Sequence, residues 1–181
     1  DASNGASWVI AGDSSSALSE RPRTGKADKL LGARLLRLDP DALREDSGLL
    51  SEGHPVDFLD ERGHGLPAVY DAVQSRDVTR FLELQQQVVS LFPAVKSFRL
   101  KNATDRTKGF GVTLQTGVEV GARQLSEGLL YFLAFAVLPH LRPTAVALIE
   151  EPENGLHPSR IADVMKALRR LSETTQVLIA T

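Results

Sequence analysis

Residues 148–158 read LIEEPENGLHP, with Glu150, Glu151 and Glu153 crowded together directly after an apolar run. In a parallel α/β sheet the ligand crevice lies beyond the carboxyl ends of the strands, where such acids would stand. Successive strand residues point to opposite sides, so Glu150 and Glu151 need not share one role. One carboxylate could hold Mg²⁺, directly or through water, while the other polarises an attacking water. Phosphoryl transfer requires that division of labour. The plainer alternative is a charged strand exit, with acids that are solvated or that favour the N-terminus of the next helix; for an isolated pair it is the commoner case.

A second segment, QLSEGLLYFLAFAVLPHL, lies upstream. Ser126 can cap a helix that begins at Glu127 and runs through apolar residues to a stop at Pro139. A helix apolar on all sides is buried, which fixes its N-terminus in space with unpaired N–H groups facing outward. Such an end binds phosphate well. Taken alone, the segment reads equally as a core helix with a serine cap and a packing glycine.

These residues need a scaffold. PTAVALIE is a short β-rich apolar segment, expected to be a strand covered on both faces of a largely parallel sheet. Pro158 suits the first position of a helix whose Ile161, Val164, Met165, Leu168 and Leu171 recur at helical spacing, with Arg160, Asp163, Lys166 and Arg169 facing away. TQVLIAT supplies the next strand, completing a βαβ unit with an expected right-handed crossover. Further upstream, Trp8 to Ala11 forms a short apolar run followed by a polar, serine-rich loop. Leu35, Leu36 and Leu38 form a strand that Asp39-Pro40 stops. From Pro67 the pattern is helical, with Val78, Phe81, Leu82, Val88, Val89 and Phe92 on one stripe that Pro93 ends. SFRLKN and GFGVTLQTG read as two strands of a hairpin. The expected organisation is residues 1–38 as the remnant of an N-terminal lobe with a loop, 39–66 as a linker, and 67–181 as the helical and βαβ region.

Composition narrows the class without naming a partner. The 181 residues are 42% hydrophobic with formal net charge −2, enough for one well-buried domain and with no global field toward nucleic acid or an anionic surface. There is no cysteine, which removes disulfides and thiolate metal sites and fits a reducing, cytoplasmic setting. The longest apolar run, Leu129 to Leu138, is far short of the roughly 18 residues of a membrane span. The chain starts at Asp1 with no basic start followed by an apolar core, so a fragment of a longer protein is expected. His54, His64 and His140 are scattered along the chain and read as loop or helix-end residues.

LSEGL followed by a hydrophobic strand ending in Glu-Glu-Pro resembles the signature and Walker B motifs of ABC-type ATPases, whose signature usually reads Leu-Ser-Gly-Gly-Gln. ENGLHP is similar to the D-loop of the SMC-like and overcoming-lysogenization-defect-like ATPases, the AAA_21 type, and VLIAT to the strand before their switch histidine. RLLRLDPDALRE and GLPAVYDAV resemble the same group more loosely. The resemblance spans residues 34–181 and is strongest over 123–158.

This resemblance implies an α/β fold, the C-terminal part of a P-loop NTPase of ABC ATPase type, with a mostly parallel sheet and flanking helices. It places Glu150 at the Mg²⁺-supporting Walker B acid and Glu151 at the general base. Ser126, Glu127 and Gly128 would meet ATP held by the opposing protomer of a head-to-tail homodimer with shared sites. Glu127 stands where the usual signature has its first glycine, bringing a negative charge. Asn154, Gly155 and His157 would form the D-loop across the interface, and Glu153 would at most pair with a nearby cation. ATP and Mg²⁺ are the implied cofactors, with DNA or an effector nuclease as a possible partner and no membrane, in DNA maintenance or anti-phage defence. ERPRTGKA holds Gly25-Lys26, yet G-x-x-x-x-G-K-[ST] would require glycine at Glu20 and Ser or Thr at Ala27, so the lysine reads as a loop cation. The alternatives are a non-hydrolysing dimerisation module with an ABC-like fold and, more remotely, a metal-dependent nuclease using Glu150, Glu151 and Glu153.

Overall fold

The computed structural model describes residues 7–10 and 32–181. In chain order the elements are β1 (Ser7–Ile10), β2 (Ala33–Leu36), α1 (Pro40–Arg44), β3 (Ser47–Gly48), α2 (Leu66–Arg76), α3 (Val78–Leu91), β4 (Val95–Asn102), β5 (Thr107–Leu114), β6 (Glu119–Gly121), α4 (Glu127–Val137), β7 (Val146–Glu150), α5 (Pro158–Ser172) and β8 (Gln176–Ala180). The loop containing Gly25-Lys26 lies outside the described residues.

The strands form two sheets. The first has the order β1-β8-β7-β2, with β2, β7 and β8 parallel and β1 antiparallel on the β8 edge. The second, β3-β5-β4 with β6 also paired to β5, is antiparallel throughout. The expected parallel sheet therefore describes the first sheet only. The hairpin expected from SFRLKN and GFGVTLQTG is β4–β5, with Phe98 opposite Val112 and Leu100 opposite Phe110.

Helix α4 is the centre of the core, buried at every residue from Leu129 to Val137. Its uniform apolarity leaves no face for water, so helices α1, α2, α3 and α5 all pack on it. Tyr70 of α2 ties this helix to the second sheet. Its hydroxyl donates to the Leu133 carbonyl at 2.9 Å. Its ring meets Phe98 and Phe110 edge-on, at centroid distances of 5.4 and 5.0 Å. Full burial pushes the Tyr70 phenol far above its usual range.

Three expectations need correction. Strand β7 is not covered on both faces. Ala147 and Ile149 are buried with Leu36, Val177 and Ile179, whereas Leu148 stays 37% exposed beside the 44% exposed Leu35, which is its register partner. The alternation of strand side chains sends these leucines to the face away from α4. The helical stripe after Pro67 is also broken at Asp77, whose side chain caps α3 by accepting from the Arg80 N–H. The buried line of α3 becomes Phe81, Leu84 and Val88, leaving Val78 and Leu82 exposed. Lastly, the Asp163 side chain is only 13% exposed, held by Arg160 and Lys166 on its own helix. The Arg160 guanidinium stacks over Phe92 at 5.0 Å, so this charged group also covers apolar surface.

Residues 39–66 carry α1 and β3 and contribute Leu43, Val56, Phe58 and Leu66 to the common core. Asp39 accepts from the Asp41 and Ala42 N–H groups at 2.8 and 3.3 Å, capping α1 with Pro40 at its first position. The Asp-Pro pair that ends β2 thereby starts a helix.

Candidate active-site cleft

Strands β2 and β7 run parallel and end together, so the residues following them emerge on one rim. The resulting cleft, about 420 Å³, is lined by Arg37, Asp39, Glu61, Arg62, Glu150, Glu151, Asn154 and Tyr131, among others. Four of these are carboxylates and two are guanidiniums, an excess of negative charge suited to a cation.

Glu150 ends β7, with its side chain 42% exposed and Oε2 lying 3.6 Å from Arg37 Nε. Glu151 leaves the strand with φ 46°, the only positive φ at a non-glycine position among the described residues. Its N–H donates to the Ala180 carbonyl at 2.7 Å, and its own carbonyl accepts from the Asn154 N–H at 2.9 Å. The left-handed conformation is thus held between the end of β8 and the following turn, and it redirects the chain at the second glutamate. Such a residue costs on the order of 1–3 kcal/mol and persists where surrounding bonds determine it.

Asp39 and Arg62, which also line the cleft, form an ion pair at 2.5 Å. The Arg62 hydrogen bond, aided by the capping N–H groups and opposed by burial, holds the Asp39 carboxyl below its usual range. Tyr131 comes from the third position of α4 after Gly128 and closes the floor, with its hydroxyl 3.4 Å from the Leu38 carbonyl. Burial raises its phenol, and the charges of Glu127, Asp39 and Glu151 add to the effect.

Ser126, Glu127 and Gly128, expected from the sequence as signature residues, lie at the exposed start of α4 and do not line the cleft. Ser126 caps the helix, accepting from the Leu129 N–H at 3.4 Å. Gly155, at φ 67°, packs onto the same helix. A Cβ there would fall 2.6 Å from Tyr131 Cε2 and 3.2 Å from Glu127 Oε2, so this turn admits only glycine. Gly128 faces the Gly155 carbonyl across an ordinary contact. Glu127 therefore stands against the turn of its own chain. Of the other expected turn residues, Asn154 reaches the cleft, whereas His157 caps α5, its Nδ1 accepting from the Ser159 N–H at 3.3 Å. Glu153 makes no ion pair among the described residues, and its Oε2 is buried without a hydrogen-bond partner there.

The model of the AAA_21 family, described as "AAA domain, putative AbiEii toxin, Type IV TA system", matches residues 18–181. The chain belongs to this family. No curated protein matches it. AAA_21 membership carries an ATPase-type nucleotide-binding function and the general use of ATP and Mg²⁺, and it agrees with the mixed α/β architecture and its parallel strands. No helix among the described residues is long and apolar enough to cross a membrane.

The donor set fits the ion that the AAA_21 family uses. No three acidic or histidine side chains among the described residues converge into a protein-only metal cage. Mg²⁺ is commonly held by one or two carboxylates together with phosphate oxygens and water, and the Glu150 carboxylate at the cleft is a donor of that kind. Sequence reasoning missed Arg37, Asp39, Arg62 and Tyr131 as cleft residues. The signal for Arg37 was its position after the last residue of β2, which becomes informative only once β2 is paired with β7. Arg62 carried no signal, because its approach depends on the path of a long loop.

Proposed function

We propose that this chain carries the signature, Walker B and D-loop parts of an ABC-type ATPase, and that the full-length gene product couples Mg²⁺-dependent ATP hydrolysis to head-to-tail dimerisation. The observation that supports this best is the emergence of Glu150 and Glu151 at the carboxyl end of a parallel strand, in one cleft, with the backbone turned at Glu151.

In this reading Glu151 accepts the proton of the attacking water, and Glu150 holds Mg²⁺, directly or through water. A Mg²⁺ ion held by Glu150 would supply positive charge against the phosphates of the nucleotide. Ser126 and Gly128, with Glu127 beside them, meet the nucleotide of the opposing protomer, and the exposure of this helix end outside its own cleft favours contact in trans. Asn154, Gly155 and His157 lie along the shared interface. The process we assign is DNA maintenance or anti-phage defence, with DNA or an effector nuclease as the partner and the cytoplasm as the setting.

The test is to compare Glu151→Gln and Glu150→Gln in the full-length gene product at matched Mg²⁺. Glu151→Gln keeps size and hydrogen-bonding capacity but removes the base, so turnover should fall by about 10² to 10⁴ while ATP binding persists and the dimer lives longer. Glu150→Gln should weaken Mg-ATP binding as well. Near-parental turnover in Glu151→Gln would return the paired glutamates to a solvated strand exit.

A further inference from the structure

Arg37 is the first residue after β2. The register of that strand on β7 ends with Leu36 opposite Ile149, so one further step along both strands brings Arg37 beside Glu150. The Arg37 N–H donates to the Glu61 carbonyl at 2.9 Å, which fixes its main chain on the rim of the cleft. The side chain is 76% exposed, and among the described residues its one ion pair is long, 3.6 Å to Glu150 Oε2. The other guanidinium of the cleft, Arg62, is engaged at 2.5 Å by Asp39. An exposed ion pair as long as that of Arg37 is weak and screened by salt, so it can be exchanged without disturbing the fold.

We propose that Arg37 is a specificity-determining residue that recognises the terminal phosphate of a nucleoside triphosphate. This rests on the ATPase reading of the cleft. The guanidinium lies 3.6 Å from Glu150 and offsets its charge. A divalent cation held at Glu150 would take over that offset and would leave the guanidinium available to a phosphate in the cleft. Its planar fork of donors matches a phosphate better than an ammonium would. A nucleoside diphosphate lacks the group to be met, so Arg37 separates the two nucleotides.

The experiment is calorimetric titration of the full-length gene product with Mg²⁺-β,γ-imido-ATP and Mg²⁺-ADP, for the parent, Arg37→Ala and Arg37→Lys. Arg37→Ala should lose about ten- to a hundredfold in affinity for the triphosphate, the usual worth of a hydrogen bond to a charged group, with ADP affinity changed less than about twofold. Arg37→Lys, which keeps the charge without the fork, should fall between. An equal loss for both nucleotides, or no loss for either, overturns the assignment while leaving the ATPase reading intact. A parent that binds neither nucleotide overturns the reading itself.

Discussion

Glu151 turns the chain out of β7 through one torsion angle. At φ 46° its backbone occupies a region that side-chain-bearing residues rarely adopt, and two backbone hydrogen bonds hold it there. Ser126 is the complementary case, an exposed cap whose loss the fold can absorb. Its bond to the Leu129 N–H is long, at 3.4 Å, and replacing such a cap costs about 0.5–2 kcal/mol. Ser126→Arg in the full-length gene product should therefore leave the protein folded and monomeric ATP binding nearly unchanged, while abolishing ATP-dependent dimerisation. Nucleotide titration together with light scattering separates the two properties. Equal loss of both would count against a site shared between protomers.

Helices α3, α4 and α5 meet around His140, which closes the short 3₁₀ turn Leu138–His140 after α4. Burial lowers the His140 pKa below its ordinary value of 6.5, and the charge of Arg80 lowers it further against the opposing pull of Glu83 and Asp77. The folded state thus prefers the neutral ring, and on acidification the unfolded chain takes up this proton first. The His140 contribution is fully present above pH 6.5, declines as pH falls through 6.5 toward the lower folded-state value, and levels off below it. Urea unfolding at pH 7.5 and 5.5 should show lower stability at the acidic pH, and His140→Gln should reduce that difference. A His140→Gln protein with an unaltered pH dependence would show that His140 is not its source.

Across the whole molecule, one core joins a partly parallel sheet to an antiparallel one through α4, and the cleft opens at the end of the first sheet. Binding a polyphosphate there needs positive potential and a cradle of N–H groups. The 181 residues hold no complete G-x-x-x-x-G-K-[ST] pattern, and among the described residues the cleft has four carboxylates against two guanidiniums. This chain by itself is therefore expected to bind Mg-ATP weakly or not at all. Calorimetry on the folded chain tests this, and micromolar affinity would reveal a phosphate site that neither the pattern nor the cleft supplies.

The sequence alone determined the features with local causes. The Ser126 cap and apolar run specified α4, Pro158 and the helical spacing specified α5, and the β-rich segments around LIEE and VLIA specified β7 and β8, because caps, proline geometry and periodicity act within a few residues. It also put Glu150 and Glu151 at a strand end. Tertiary structure decided what faces them. Arg37 joined Glu150 through the pairing of β2 with β7, and the 61–62 loop joined β2 through the Arg37 and Asp39 N–H bonds to the Glu61 and Arg62 carbonyls. It also decided that Leu148 stays exposed, because a strand's apolar content does not say which of its faces another layer will cover. Such contacts join residues far apart in the chain, and no spacing along the sequence encodes them.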